Sequence, residues 1–205
     1  QQGSIISRTH PHHLTASRPP FGLKVVGRRE HMNVIRNPRE TLNTSEEEQK
    51  MDRWYELSDI EHEPVKFAVV IAKFKNQFII IYNKKRGGWE IPGGNREKGE
   101  ALLHTASREL FEETGAVRFE LIPFGIYQWN ESLGMVFFAE VQEIDNIPDF
   151  EIDEIKFEDA LPEGMNFGNM FYIFVDKWNE IKDKKLKKYN IDIKYLNKVN
   201  ELEIV

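Results

Sequence analysis

Cysteine is absent from the 205 residues, which removes disulfides, thiolate nucleophiles and cysteine-ligated zinc together. No apolar run approaches the roughly 20 residues that a membrane span requires, so no membrane contact is expected. The N-terminus is polar and carries no apolar signal core, so nothing in it directs export and the expected location is cytoplasmic. Histidine is scarce outside the first 31 residues. Four of the six lie there, at His10, His12, His13 and His31, without the spacing of a metal finger. Basic charge is also short over most of the chain. Residues 1–31 hold five Lys/Arg against one Glu, while residues 32–205 hold 23 basic against 33 acidic groups, a balance of −10. A surface that acidic repels polyphosphate at long range and disfavours extended nucleic-acid contacts. An anionic substrate would need cations at the site.

What is present divides the chain into four parts. Residues 1–31 end in His31-Met32 and read as a cloning-derived or flexible leader. Residues 32–64 form an N-terminal segment with a short helix, capped by Ser45 ahead of Glu46-Glu47-Glu48. Residues 65–188 carry the folded pattern, and residues 189–205 form a tail whose Ile191–Val205 stretch is open to either a strand or a helix. Within 65–188, Val65–Phe74 and Phe78–Tyr82 predict a hairpin around Lys75-Asn76-Gln77. Trp89–Ile91 predicts a short strand stopped by a Pro92-Gly93-Gly94 loop. Apolar residues at helical spacing predict a helix from Glu100 to Thr114, stopped by Gly115. Strands follow over Val117–Asn130, Met135–Val141 and Ile155–Phe157. A second helix is expected over Asn169–Lys188, its lysines complementing the helix dipole. Strands mixed with two main helices, without regular alternation, point to helices packed on a mixed sheet.

The chemistry concentrates between Gly94 and Ala116. Glu109, Glu112 and Glu113 stand at i, i+3 and i+4, so their carboxylates share one helix face. Like charges at that spacing destabilise a helix by about 0.2–0.5 kcal/mol per pair, a choice that stability alone would not make. The cluster offers only oxygen donors, which suits Mg²⁺ or Mn²⁺. Glycines in Pro92-Gly93-Gly94 allow backbone to approach a ligand closely. Glu100 and Arg108 are spaced to pair and lock loop to helix.

This stretch resembles the Nudix box, G-x5-E-x7-R-E-U-x-E-E-x-G-U, at Gly94, Glu100, Arg108, Glu109, Leu110, Glu112, Glu113 and Gly115. Ala116 is smaller than the usual last aliphatic residue. Seven exact matches arise by chance on the order of once in 10⁸ windows at average composition. The resemblance implies an α/β fold, the Nudix α/β/α sandwich with a mixed β-sheet and a loop–helix–loop catalytic motif. It implies Glu109, Glu112 and Glu113 as catalytic and metal-ligating groups, helped by the Gly93 carbonyl, with Mg²⁺ or Mn²⁺ as cofactor. It also implies Glu100–Arg108 as a structural salt bridge, and a further carboxylate from a later loop, Glu151 or else Glu154. The general base is left between Glu109 and Glu113.

Similarity to the MutT/YtkD-type nucleoside triphosphatases implies hydrolysis of a nucleoside triphosphate, with 8-oxo-dGTP a candidate, to nucleoside monophosphate and pyrophosphate. The alternatives are an RNA 5′-pyrophosphohydrolase, an ADP-ribose or dinucleotide pyrophosphatase, and a non-catalytic nucleotide-sensing module. Outside the box, Arg86 with its forked guanidinium is the expected phosphate contact. Tyr127 and Trp129 are the candidates for stacking on a base, with packing roles equally open to them. Trp89 is read as core or rim.

Overall fold

The computed structural model describes residues 51–145, 152–202 and 204. The expected Ser45 helix and Glu151 lie outside these residues.

Val65–Phe74 (β2) and Gln77–Asn83 (β3) form the hairpin, with Phe74 opposite Gln77. Lys75 and Asn76 take φ of 49° and 68°, the two left-handed positions of the tight turn that matches strand twist. Gly88–Glu90 (β4) pairs with the end of β3. Gly93–Asn95 (β5) then runs antiparallel to β2, with Val69 opposite Gly93. A loop was expected there. The backbone is a strand because a Cβ at Gly93 would lie 2.6 Å from the Ala68 carbonyl oxygen, so only glycine lets the two chains come this close.

Leu102–Thr114 (α1) ends at Gly115, whose φ of 73° lets its N–H close on the Phe111 carbonyl at 2.8 Å. Ala116–Trp129 (β6) and Ser132–Ile144 (β7) pair antiparallel over their length. β7 also runs parallel to β2, and Ile152–Glu158 (β8) pairs with β3. Met170–Ile181 (α2) follows.

Two further strands join from outside 65–188: Arg53–Tyr55 (β1) and Tyr189–Asp192 (β9), both paired with β6. The tail thus contains a strand as well as a short helix, Leu196–Val199 (α3). The side chain of Asn200 accepts the N–H of Ala101 at 2.9 Å. That bond satisfies one of the orphan donors at the start of α1.

Among the described residues the nine strands form one mixed sheet. Alternation along each strand sorts its side chains between two cores. On β7, Met135, Phe137, Ala139 and Val141 face the cluster holding Leu102, Leu103, Ala106 and Leu110 of α1. Val136 and Phe138 face the cluster holding Met170, Phe171 and Phe174 of α2. The helices therefore cover opposite faces, giving the expected α/β/α sandwich. Each of the larger of these side chains, fully buried, contributes about 1.5–3 kcal/mol.

The second helix is shorter than expected. It stops at Ile181, and the lysines from Lys184 to Lys188 lie beyond it. Trp178 and Ile181 are its last residues packed on the core, and the following stretch offers only Leu186 to hold another turn down. Lys188 instead reaches Glu120 on β6 at 2.7 Å. Among the described residues no helix is long and apolar enough to cross a membrane.

Candidate functional site

α1 lays Arg108, Glu109, Glu112 and Glu113 along the side that meets β5. Arg108 is the hub. Its Nε and Nη2 donate to the two oxygens of Glu100 at 2.7 and 3.0 Å, and Nη2 also donates to the Asn95 carbonyl at 3.0 Å. Its Nη1 donates to Glu109 at 2.8 Å and to Glu112 at 3.2 Å. One planar fork thus ties the loop before α1 to two carboxylates on the helix.

Glu100 is buried and well supplied. Besides Arg108 it accepts the Glu97 N–H at 3.0 Å and the Thr105 hydroxyl at 2.9 Å, and His104 Nδ1 lies 3.0 Å away. Burial alone would raise its carboxyl. The hydrogen bonds from Arg108, Glu97 and Thr105, with the guanidinium charge, outweigh burial and hold it down at about 2.

Glu109 and Glu113 stand in the opposite condition. Burial pushes the Glu109 carboxyl above its ordinary value, and Arg108 only partly compensates. Burial pushes Glu113 up to about 8, although it accepts the Gly93 N–H at 2.8 Å, and the charges of Glu109 and Glu90 push the same way. Burial thus disfavours the charged forms of both carboxyls, which a nearby cation would favour.

Among the described residues, no three carboxylate or imidazole groups converge on one point in this side-chain arrangement. Arg108 holds two of the helix carboxylates and Gly93 holds the third. The donor chemistry nevertheless fits a hard divalent cation. The groups are all oxygen donors and they repel one another. A Cβ at Gly94 would lie 2.6 Å from Glu109 Oε2, so the close approach of this carboxylate to β5 depends on glycine.

Gly93 and Gly94 also line a cavity of about 150 Å³. Arg86, Tyr127 and Trp129 all line it, so the sequence candidates meet beside the glycine strand. Their situations differ. Tyr127 is buried and packs its ring on Phe174 at 4.9 Å, which makes it chiefly a wall. Trp129 is half-buried and lies edge-on to Phe167 at 5.3 Å. Arg86 Nε and Nη2 both donate to Glu90, at 2.6 Å each. Glu154 is exposed, pairs with Lys156 at 3.5 Å and does not line this cavity. Trp89 packs against Tyr82 with Lys156 over its ring.

Sequence reasoning passed over Glu90, Asn166 and Phe167. Glu90 is buried, and Asn166 Nδ2 donates to it at 2.7 Å. An acidic residue between Trp89 and Ile91 was its only signal. Phe167 also lines the cavity. It carried no signal, because its position depends on a loop that returns to β4 from far along the chain.

The family model for the NUDIX domain matches residues 62–169. The Bacillus subtilis (strain 168) protein named "Putative 8-oxo-dGTP diphosphatase YtkD" is 32% identical over 124 residues, which is 58% of this chain and 78% of that protein. A second protein of the same strain, named "Putative 8-oxo-dGTP diphosphatase", is 32% identical over 60 residues, covering 29% of this chain and 40% of that one. The crystal structure of the Bacillus subtilis pyrophosphohydrolase BsRppH (E68A mutant) superposes with a TM-score of 0.54 at 24% identity, covering 62% of this chain and 90% of that chain. That last likeness speaks to the fold.

Proposed function

The chain belongs to the Nudix hydrolase family, and on that premise we propose that it cuts a phosphoanhydride bond of a nucleoside triphosphate to give nucleoside monophosphate and pyrophosphate. One observation carries the reading: Gly93 and Gly94 touch both the helix carboxylates and the cavity. Gly93 donates to Glu113, Gly94 faces Glu109, and the same two residues line the space beside Trp129. A phosphate chain crossing this strand would place its anhydride at the carboxylates and its nucleoside in the cavity.

Glu109, Glu112 and Glu113, with the Gly93 carbonyl, are the groups that would hold Mg²⁺ or Mn²⁺. A bound divalent ion supplies a lowered pKa for water and neutralises phosphate charge. The chain's own residues do the rest. Water forms one P–O bond while the bridging P–O bond breaks, and the pyrophosphate oxygen carries away the electron pair. Glu109 or Glu113 accepts the water proton. Arg108 holds Glu109 and Glu112 in place through its anchor on Glu100. The YtkD relative, matched over most of its length, supports an oxidised guanine nucleotide such as 8-oxo-dGTP as substrate.

The test incubates the protein with Mg²⁺ and a panel of nucleoside triphosphates, including 8-oxo-dGTP, a 5′-triphosphorylated RNA, ADP-ribose and a dinucleotide. Pyrophosphate together with monophosphate is expected from a triphosphate. Absence of any product across the panel, from folded protein, would refute the reading.

A further inference from the structure

β8 lies at an edge of the sheet. Among the described residues it pairs only with β3, from Glu158 opposite Phe78 to Ile152 opposite Asn83. Its other side presents backbone N–H and C=O groups with no described strand against them, a template for pairing with another chain. The ladder shifts register between Tyr82 and Asn83, which leaves Glu154 to Glu158 as its regular stretch.

Side chains alternate along that stretch. Ile155 packs toward the α1 core, and Phe157 on the same face is 41% exposed, its ring 5.9 Å from that of Phe74. Glu154, Lys156 and Glu158 stand on the opposite face. The Lys156 ammonium lies 3.5 Å from Glu154 and 4.2 Å from the centre of the Trp89 ring, and both charged side chains are exposed. Their order is a palindrome of acid, apolar, base, apolar, acid: Glu154-Ile155-Lys156-Phe157-Glu158.

A palindrome matters at an edge because two copies related by a two-fold axis set the same strand antiparallel to itself. Opposed side chains share a face, so the axis must pass through a residue. Through Glu154, Lys156 or Glu158 it sets a charge against its own copy. Through Ile155 it sets Lys156 opposite Glu154 twice, and through Phe157 it sets Lys156 opposite Glu158 twice. Opposite charges directly across stabilise a strand pair and like charges destabilise it. Both favoured axes also centre an apolar residue on its copy. The strand is therefore complementary to itself, which makes the fitting occupant a second copy of this chain.

We propose that β8 is a self-association edge, through which two copies of this chain join their sheets antiparallel in a symmetric dimer. So short a strand makes a small interface, and association in the micromolar range is expected. The proposal stands independently of the hydrolase reading.

Sedimentation equilibrium of the full chain at rising concentration reads the assembly. Wild type is expected to pass from one copy to two in the micromolar range. Lys156→Glu makes this face of the strand wholly acidic, so every axis opposes like charges and self-association weakens about tenfold or more. Glu154→Lys/Glu158→Lys makes it wholly basic, with the same result. Mixed in equal amounts, these two proteins should pair with each other at least as tightly as wild type pairs with itself. Glu154→Lys/Lys156→Glu/Glu158→Lys reverses every sign, should associate like wild type, and serves if either of the others fails to fold. Wild type that stays single, acidic and basic variants that associate as well as wild type, or a sign-reversed variant that stays single overturns the proposal. So does a mixture of folded acidic and basic variants that does not pair.

Discussion

Replacing Gly94 with alanine is the sharpest way to separate catalysis from folding in this chain. A Cβ there would lie 2.6 Å from Glu109 Oε2 and closer still to its Oε1 and Cδ, so the carboxylate must retreat by at least about 1 Å to reach ordinary contact. Glu109 is a flexible side chain and can do so. The cost to folding is its 2.8 Å bond from Arg108, about 1–2 kcal/mol, and Arg108 keeps its two bonds to Glu100. Gly94 needs no left-handed backbone, so alanine returns about 0.4–1 kcal/mol by restricting the unfolded chain. The net change is on the order of 1 kcal/mol, or about 2–4 °C in thermal midpoint for a domain of this size.

Function responds differently, because Mg²⁺ demands near-ideal geometry and a 1 Å misplacement costs about 10²-fold in rate. Pyrophosphate release should fall about a hundredfold, with magnesium affinity weakened in a calorimetric titration. Gly93→Ala provides the contrast. Its Cβ would meet the Ala68 carbonyl at 2.6 Å and Val69 Cα at 2.9 Å. Both are backbone atoms inside the sheet and cannot swing away. The expected loss is about 3 kcal/mol and a midpoint about 6–12 °C lower. A Gly94→Ala protein that turns over and binds magnesium like wild type would refute the assignment of Glu109 to the metal seat.

Other consequences follow from the same geometry. Glu113→Gln keeps the side chain's size and its ability to accept the Gly93 N–H, so the midpoint should stay within a few degrees while turnover nearly vanishes. A variant with substantial activity would remove Glu113 from the chemistry. EDTA should abolish turnover, and added Mg²⁺ or Mn²⁺ should restore it; activity unaffected by chelation would contradict the cation requirement. Glu100→Gln tests the anchor. Its carboxyl is held near about 2 against an ordinary 4.5, worth on the order of 3 kcal/mol. Because the folded value is the lower one, this stabilisation is present above pH 4.5 and is lost as pH falls toward 2. The stability gap between wild type and Glu100→Gln should therefore be full at pH 7 and close through that window. A gap that stays constant from pH 7 to pH 3 would contradict it.

The parts of the fold that were legible in the sequence are those where local pattern and tertiary position agree. α1 announces itself through Leu102, Leu103, Ala106 and Leu110, and stops at Gly115 because the left-handed turn there favours glycine. The β2–β3 hairpin, β6 and the middle of β7 read directly from their β-branched and aromatic runs, while the β6–β7 pairing did not. Elements created by a partner were hidden. β1 is three residues whose strand character comes from β6, and Gly93–Asn95 has glycines that predict a loop until β2 lies against them. The lysines after Ile181 continue a helical composition but offer the core almost nothing to bind.

The candidate site divides along the same line. The three glutamates and Arg108 sit within one helix, where spacing fixes their common face before any tertiary contact forms. Glu100 lies just ahead of that helix and reaches it through the arginine. The cavity opposite is assembled from β4, β6 and the loop that precedes α2, and no periodicity connects Glu90, Trp129 and Phe167. This difference has a physical consequence for how such an enzyme can vary. The three glutamates proposed to act on the anhydride belong to one helix, so their relative positions survive changes elsewhere. Groups facing the rest of the substrate are held by Asn166 across long stretches of chain, where a small change in the loop can move Phe167 without disturbing α1. Substrate choice can therefore be altered in this fold at little cost to the chemistry, and it is the cavity that must be probed to learn which nucleotide this chain takes.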